Sequence, residues 1–97
     1  MYLTLLAIQI IIFNKLVGED LKKLDNVSKL RVKRAIETRL VVDPEKHGKS
    51  LKGSLKGFRK LRIGDYRIVY KVMEGEILIL GIRHRRNVYR VVEKRES

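Results

Sequence analysis

Lys60, Arg62, Arg67, Arg83, Arg85 and Tyr89, with His84 among them, are the side chains of this sequence whose types and spacing could do chemistry. Guanidinium groups held in place stabilise the negative charge that gathers on phosphoryl oxygens in the transition state of phosphodiester transfer. RNA brings its own nucleophile. Its 2′-hydroxyl attacks the adjacent phosphorus if held in line and deprotonated, and the 5′-oxygen leaves once it is protonated or stabilised. A lysine crowded by arginines has its charged form disfavoured, which makes Lys60 a candidate base. Tyr89 or His84 could donate a proton or stack on a nucleobase. Lys52, Lys56, Arg59, His84, Arg85 and Arg86 are expected to hold RNA around this centre. The competing reading is a phosphate-binding patch without catalysis.

The elements that must position these groups lie between Phe58 and Tyr89. Leu61, Ile63, Tyr66, Ile68, Tyr70 and Val72 recur with the period of two of a half-buried strand, while Lys60, Arg62, Arg67 and Lys71 take the alternate positions. One face is apolar and the other cationic. Gly64-Asp65 suits a two-residue type II′ hairpin loop, and that register sets Arg62 directly across from Arg67. Like charges facing each other destabilise a strand pair, so folding alone does not favour them; a polyanion does. Glu74-Gly75 is the next turn, and Glu76 to Ile82 reads as a central strand, apolar on both faces. A two-residue loop at Glu74-Gly75 puts Arg83 on the face opposite Arg67. The site therefore requires Arg83 to lie past the strand end, or the loop to hold an odd number of residues. The tail forms a last short helix with Val88, Val91 and Val92 inward.

Tyr2 to Phe13 is an apolar run broken by Thr4 and Gln9. It is shorter than the roughly 20 residues that span a bilayer and lacks the basic flank of a secretory signal. Its β-branched cluster favours a buried strand, with a short buried helix as the alternative. Its first residues should pair with a strand of this chain or of a second copy. Asn14 can cap a helix carrying Val17, Leu21 and Leu24 on one side, and Ser28 or Asn26 a second helix running to about Val42. Val32, Ala35, Ile36 and Leu40 form the second helix's apolar face, and Asp43-Pro44 ends it. Residues 45–57 read as a basic loop or short strand approach, with Leu51 and Leu55 tucked at the core edge.

The chain has 97 residues, and its 23 Lys+Arg against 11 Asp+Glu give a formal charge of +12. Self-repulsion makes so one-sided a field costly unless an anionic partner balances it, and nucleic acid is the leading candidate. One domain, residues 1–97, with roughly 60–70% of its surface buried is what this length accommodates. Cysteine is absent, which removes disulfides and thiolate chemistry and fits a cytoplasmic home. His47 and His84 lie in separate segments without grouped carboxylates, so neither a metal nor a cofactor is expected. No membrane association is expected either.

The order strand, two helices, basic loop, KLRIGDYRIVYKV, hydrophobic strand and RHRRNVY resembles the RelE/ParE superfamily of toxins from about Ile8 onward. The resemblance implies an α+β fold: two N-terminal helices packed on one face of a small, mostly antiparallel twisted sheet, in the order β-α-α-β-β-β with a short C-terminal helix. Met1 to Ala7 would be an N-terminal extension. It implies a type II toxin whose RelE branch cuts messenger RNA on the ribosome, in contact with 16S ribosomal RNA, leaving a 2′,3′-cyclic phosphate and a 5′-hydroxyl without metal. Carried over by motif, Lys60 and Arg62 match the two basic positions of the second strand, Arg67 the Tyr-Arg pair, and Arg83 and Tyr89 the closing motif. Arg62 stands where well-known members carry lysine, and arginine is a poor general base, so the base role moves to Lys60 or to neither. The implied partner is a cognate, RelB-like antitoxin whose acidic segment wraps the toxin, in a homodimer or a heterotetramer with it. The alternatives are a ParE-like gyrase inhibitor that is not an enzyme, and an inactive homologue that only binds its antitoxin.

Overall fold

The computed structural model describes Ile10 to Glu96. Expectations for residues 1–9, including the extension and its pairing, lie outside the described residues. Strand β1 (Ile10–Phe13) is followed by helices α1 (Val17–Lys22) and α2 (Asn26–Ala35), the latter continuing as one π-helical turn over Ile36–Leu40. A short helix α3 (Pro44–His47), a two-residue strand β2 (Lys49–Ser50) and a 3₁₀ turn (Gly53–Leu55) follow. Strands β3 (Arg59–Ile63), β4 (Tyr66–Met73) and β5 (Glu76–His84) then lead into helix α4 (Val88–Glu96). The sheet order is β1-β5-β4-β3-β2, antiparallel except for the parallel pair of β1 with β5.

Side-chain oxygens set the helix starts. Asn14 Oδ1 accepts from Leu16 N at 2.9 Å ahead of α1. Asp25, rather than Ser28 or Asn26, caps α2, accepting from Ser28 N at 2.7 Å. The Ser28 backbone N–H holds the Asp25 carboxyl below the usual carboxylate range. Asp43 ends the second helical run as expected, but it also caps α3, with Pro44 in the first turn, so the expected loop contains a helix.

The two sheet faces hold separate cores. On one, Val17, Leu24, Val32, Ala35 and Leu40 pack on Leu61, Ile63, Ile68, Tyr70, Ile77, Ile79 and Ile82. On the other, Val88 and Val92 of α4 pack on Val69 and Leu80, joined by Leu55 and Phe58. The face expected to be simply cationic is thus half covered by α4, and its basic groups cluster beyond that helix.

Two local devices fix the register. Gly64 has φ +59° at the first loop position, and the Gly64-Asp65 turn pairs Ile63 with Tyr66 and Arg62 with Arg67. The Glu74-Gly75 loop holds two residues, pairing Met73 with Glu76, but a β-bulge then intervenes: Val69 faces Gly81 while Tyr70 faces Ile79. Leu80 is the extra residue. It returns Arg83 to the same face as Arg67, directly opposite it, by a route that the sequence reading did not include.

Candidate catalytic and anion-binding face

Strands β3 and β4 place Lys60, Arg62 and Arg67 on one face, because Lys60 pairs with Val69 and Arg62 with Arg67. Helix α4 adds Tyr89 from above, and the Lys60 ammonium lies 5.8 Å from the centre of the Tyr89 ring. Arg67 Nη1 donates to the carbonyls of Gly64 at 3.0 Å and Tyr66 at 2.9 Å, which anchors its guanidinium against the hairpin. No carboxylate pairs with Lys60, Arg62 or Arg67 among the described residues. Four of the five side chains expected at the catalytic centre are thereby brought to one face.

Arg83 starts on that face but is drawn away. Its Nη1 donates to Oδ1 of Asp20 at 3.3 Å, and Asp20 is fully buried. Past Phe13 strand β1 no longer covers β5, and Asp20 of α1 takes over that edge, accepting from Ile82 N at 2.9 Å. Arg95 of α4 completes the arrangement: Nη1 reaches Asp20 Oδ2 at 2.6 Å and the Leu80 carbonyl at 3.1 Å, and Nη2 reaches Asp20 Oδ1 at 2.7 Å. These groups satisfy backbone positions that a neighbouring strand would otherwise bond. The latch was not anticipated. Its signal was present, since Asp20 falls between Val17 and Leu24 on α1's apolar side and Arg95 continues the Val88–Val92 stripe of α4.

The surrounding basic residues divide. Lys52, Lys56 and Arg86 are exposed, and Arg85 pairs with Asp65 at 3.7 Å near the hairpin tip. Arg59 points to the other side of β3. Its guanidinium donates to the carbonyls of Glu45 and Gly48, both at 2.6 Å, and to Ser50 Oγ at 3.0 Å, tying down the α3–β2 segment rather than facing solvent. Beside it, the Tyr70 hydroxyl donates to the Pro44 carbonyl at 2.6 Å, and burial pushes its phenol up from the ordinary value. His84 pairs across from Tyr66 on the helix-covered side, its ring edge-on to Tyr66 at 5.7 Å, while its Nδ1 accepts from Arg86 N. Arg59 and His84 therefore do not join the Lys60 face, because each occupies a strand position of opposite parity to it.

Lys49 was expected to add charge beside this face, and Arg39 and His47, which the sequence reading did not place there, join it. Arg39, His47 and Lys49 line a cleft of about 270 Å3 together with Lys60, Leu61, Arg62 and Arg67. On the far flank, Ile11, Phe13, Leu21, Val32, Ile36, Val41 and Ile82 line an apolar groove of about 620 Å3, with Lys29, Lys33 and Glu37 at its rim. No group of three or more metal-ligating side chains occurs among the described residues, and no helix among them is long and apolar enough to cross a membrane.

The family described as ParE toxin of type II toxin-antitoxin system, parDE, matches residues 11–89. The chain belongs to that toxin family, within the RelE/ParE superfamily. A chain of the toxin-antitoxin complex RelBE2 from Mycobacterium tuberculosis is similar, with 26% identity, a TM-score of 0.73, and coverage of 79% of this chain and 91% of that one. A mutant of the toxin RelE from E. coli in the free state shares the fold at 21% identity and a TM-score of 0.68, over 91% of this chain and 97% of that one. The RelB-RelE complex of Methanococcus jannaschii does so at 24% identity and a TM-score of 0.64, over 80% and 94%. No sequence among the curated proteins matches the chain.

Proposed function

We propose that this toxin is a metal-independent endoribonuclease that cuts messenger RNA on the ribosome and so halts translation. The observation that carries this reading is the Lys60 ammonium beside the Tyr89 ring on a face shared with Arg62 and Arg67, with no carboxylate among the described residues pairing with these cations. In the proposed step the 2′-oxygen forms a bond to phosphorus while the bond from phosphorus to the 5′-oxygen breaks. The neutral amine form of Lys60 takes the 2′-hydroxyl proton and becomes the ammonium that lies by the Tyr89 ring, and the Tyr89 hydroxyl gives a proton to the leaving 5′-oxygen. Arg62 and Arg67 hold the charge that builds on the non-bridging oxygens. Arg83 acts here through Asp20 as a brace for the sheet edge. The products are a 2′,3′-cyclic phosphate and a 5′-hydroxyl.

The partner in this reading is an antitoxin with an acidic, amphipathic segment. Its apolar side fits the groove between β1 and α2, and its carboxylates fit Lys29 and Lys33 at the rim and the uncompensated charge beyond.

A ParE-like reading, inhibition of DNA gyrase without catalysis, is favoured by two observations: the matching family, and the engagement of Arg83 in a buried ion pair. Cell-free translation with primer extension on the message separates the two. Wild type should stop synthesis with discrete breaks, and the Lys60→Met/Tyr89→Phe variant, which removes no backbone hydrogen bond, should not. Intact message together with inhibited gyrase supercoiling would replace the cleavage reading with the ParE-like one.

A further inference from the structure

Strand β2 covers β3 only through Lys49 opposite Lys60 and Ser50 opposite Arg59, so Leu61 to Ile63 has no strand on its outer side among the described residues. Where β2 ends, four separate parts of the chain converge on the cleft of about 270 Å3: the last turn of the second helical run (Arg39), the end of α3 (His47), β2 (Lys49), and the β3–β4 pair (Lys60, Arg62 and Arg67). Its lining contains no carboxylate, and Arg39 and Lys49, like the three strand cations, have no ion-pair partner among the described residues. Cations brought together from distant segments repel one another, and folding alone gives no return for the arrangement.

We propose that this cleft is a second phosphodiester subsite, in which Arg39 and Lys49 hold an RNA phosphate next to the one being cleaved and His47 offers a donor or a stacking face. The inference rests on the RNA-cleavage reading and extends it. A strand whose scissile phosphate lies between Lys60 and Tyr89 must continue on both sides. Towards β5 the face is covered by α4, through Val88 and Val92 on Val69 and Leu80. Towards β2 it opens into the cleft, which shares Lys60, Arg62 and Arg67 with the transfer site. Holding the neighbouring phosphate there would fix the direction of the strand and the in-line angle of the 2′-oxygen. The less specific alternative is that these charges only protect the open edge of β3 from pairing with other chains.

The test is fluorescence anisotropy with a short 2′-O-methyl oligoribonucleotide, which cannot be cleaved, between about 50 and 200 mM salt. Arg39→Gln/Lys49→Gln is compared with wild type and with Lys29→Gln/Lys33→Gln, which removes the same charge beside the β1 groove. All four residues are exposed, and thermal melts check that each variant is folded. One lost phosphate contact should make the slope of log affinity against log salt shallower by about 0.7 and weaken binding about fivefold at 0.1 M salt, with the slope of the control unchanged. Equal losses in both doubles, or none in either, overturn the subsite while leaving the RNA reading intact. Failure of the wild type to bind the oligonucleotide overturns the RNA reading and the subsite with it. Loss of affinity for a polyglutamate peptide with RNA binding unchanged overturns the subsite in favour of a protein ligand.

Discussion

Replacing Asp20 with asparagine should destabilise this toxin more than any change on its basic face. The Asp20 carboxylate is fully buried and accepts four hydrogen bonds, one from Ile82 N, one from Arg83 and two from Arg95. Asparagine is nearly the same size, but its amide nitrogen would point a donor at a guanidinium, leaving Arg95, whose side chain is 6% exposed, without its counter-charge. Removing one partner of a buried ion pair costs about 3–5 kcal/mol. A domain of this length holds on the order of 5–15 kcal/mol in total. At about 4–8 °C per kcal/mol, the melting temperature should fall by roughly 12–40 °C. A double-mutant cycle in urea with Arg95→Met isolates the pair, and the coupling energy should exceed about 1.5 kcal/mol. An Asp20→Asn protein that melts within a few degrees of wild type, or a coupling near zero, would refute the buried latch.

Three further outcomes follow from the same geometry. Because burial raises the Tyr70 pKa in the folded chain above the ordinary tyrosine value of about 10, its contribution to stability should be complete below about pH 10 and lost as pH rises through the folded value; urea titrations at rising alkaline pH should show this loss, and Tyr70→Phe should flatten it. Gly81→Ala would set a Cβ 2.5 Å from Val92 Cγ1 and 3.0 Å from Arg95 Nη1; α4 should lift, costing about 1–3 kcal/mol, and hydrogen exchange over 88–96 should quicken. Arg59→Gln should lower the urea midpoint, since hydrogen bonds to a charged group contribute about 1.5–3 kcal/mol each, yet leave RNA affinity within twofold of wild type by anisotropy.

Alternation made the β3–β4 hairpin legible, because every second residue from Lys60 to Lys71 is dictated by one buried face and a glycine marks the turn. The same rule failed at Arg83. The apolar run EILILGI shows no break at Leu80, and the isolated Gly81 beside it was the one unread mark of a bulge. The basic loop concealed α3 for a different reason: four residues are too few for a helical period, and only Asp43-Pro44 announced a start. Arg39 and His47 were beyond reach because their meeting with Lys49 depends on where β2 stops, a tertiary fact. Arg59 could have been placed correctly, since it sits one residue from Lys60 and must face the other way.

The position of Tyr89 depends on contacts far along its helix. Val92 seats α4 over Gly81, where the absence of a side chain permits close approach, and Arg95 fastens the helix end to Asp20 and the Leu80 carbonyl. The bulge joins these features, since the extra residue Leu80 supplies that carbonyl and also turns Arg83 back towards Asp20. A polyanion entering over Lys60 and Tyr89 therefore meets a helix held at its far end by a buried carboxylate. Weakening that hold should disturb the tyrosine before it disturbs the strand cations. Arg62 and Arg67 are held by the β3–β4 hairpin, its ladder and its turn carbonyls, so in the proposed cleavage reading RNA affinity should outlast cleavage as the latch is loosened.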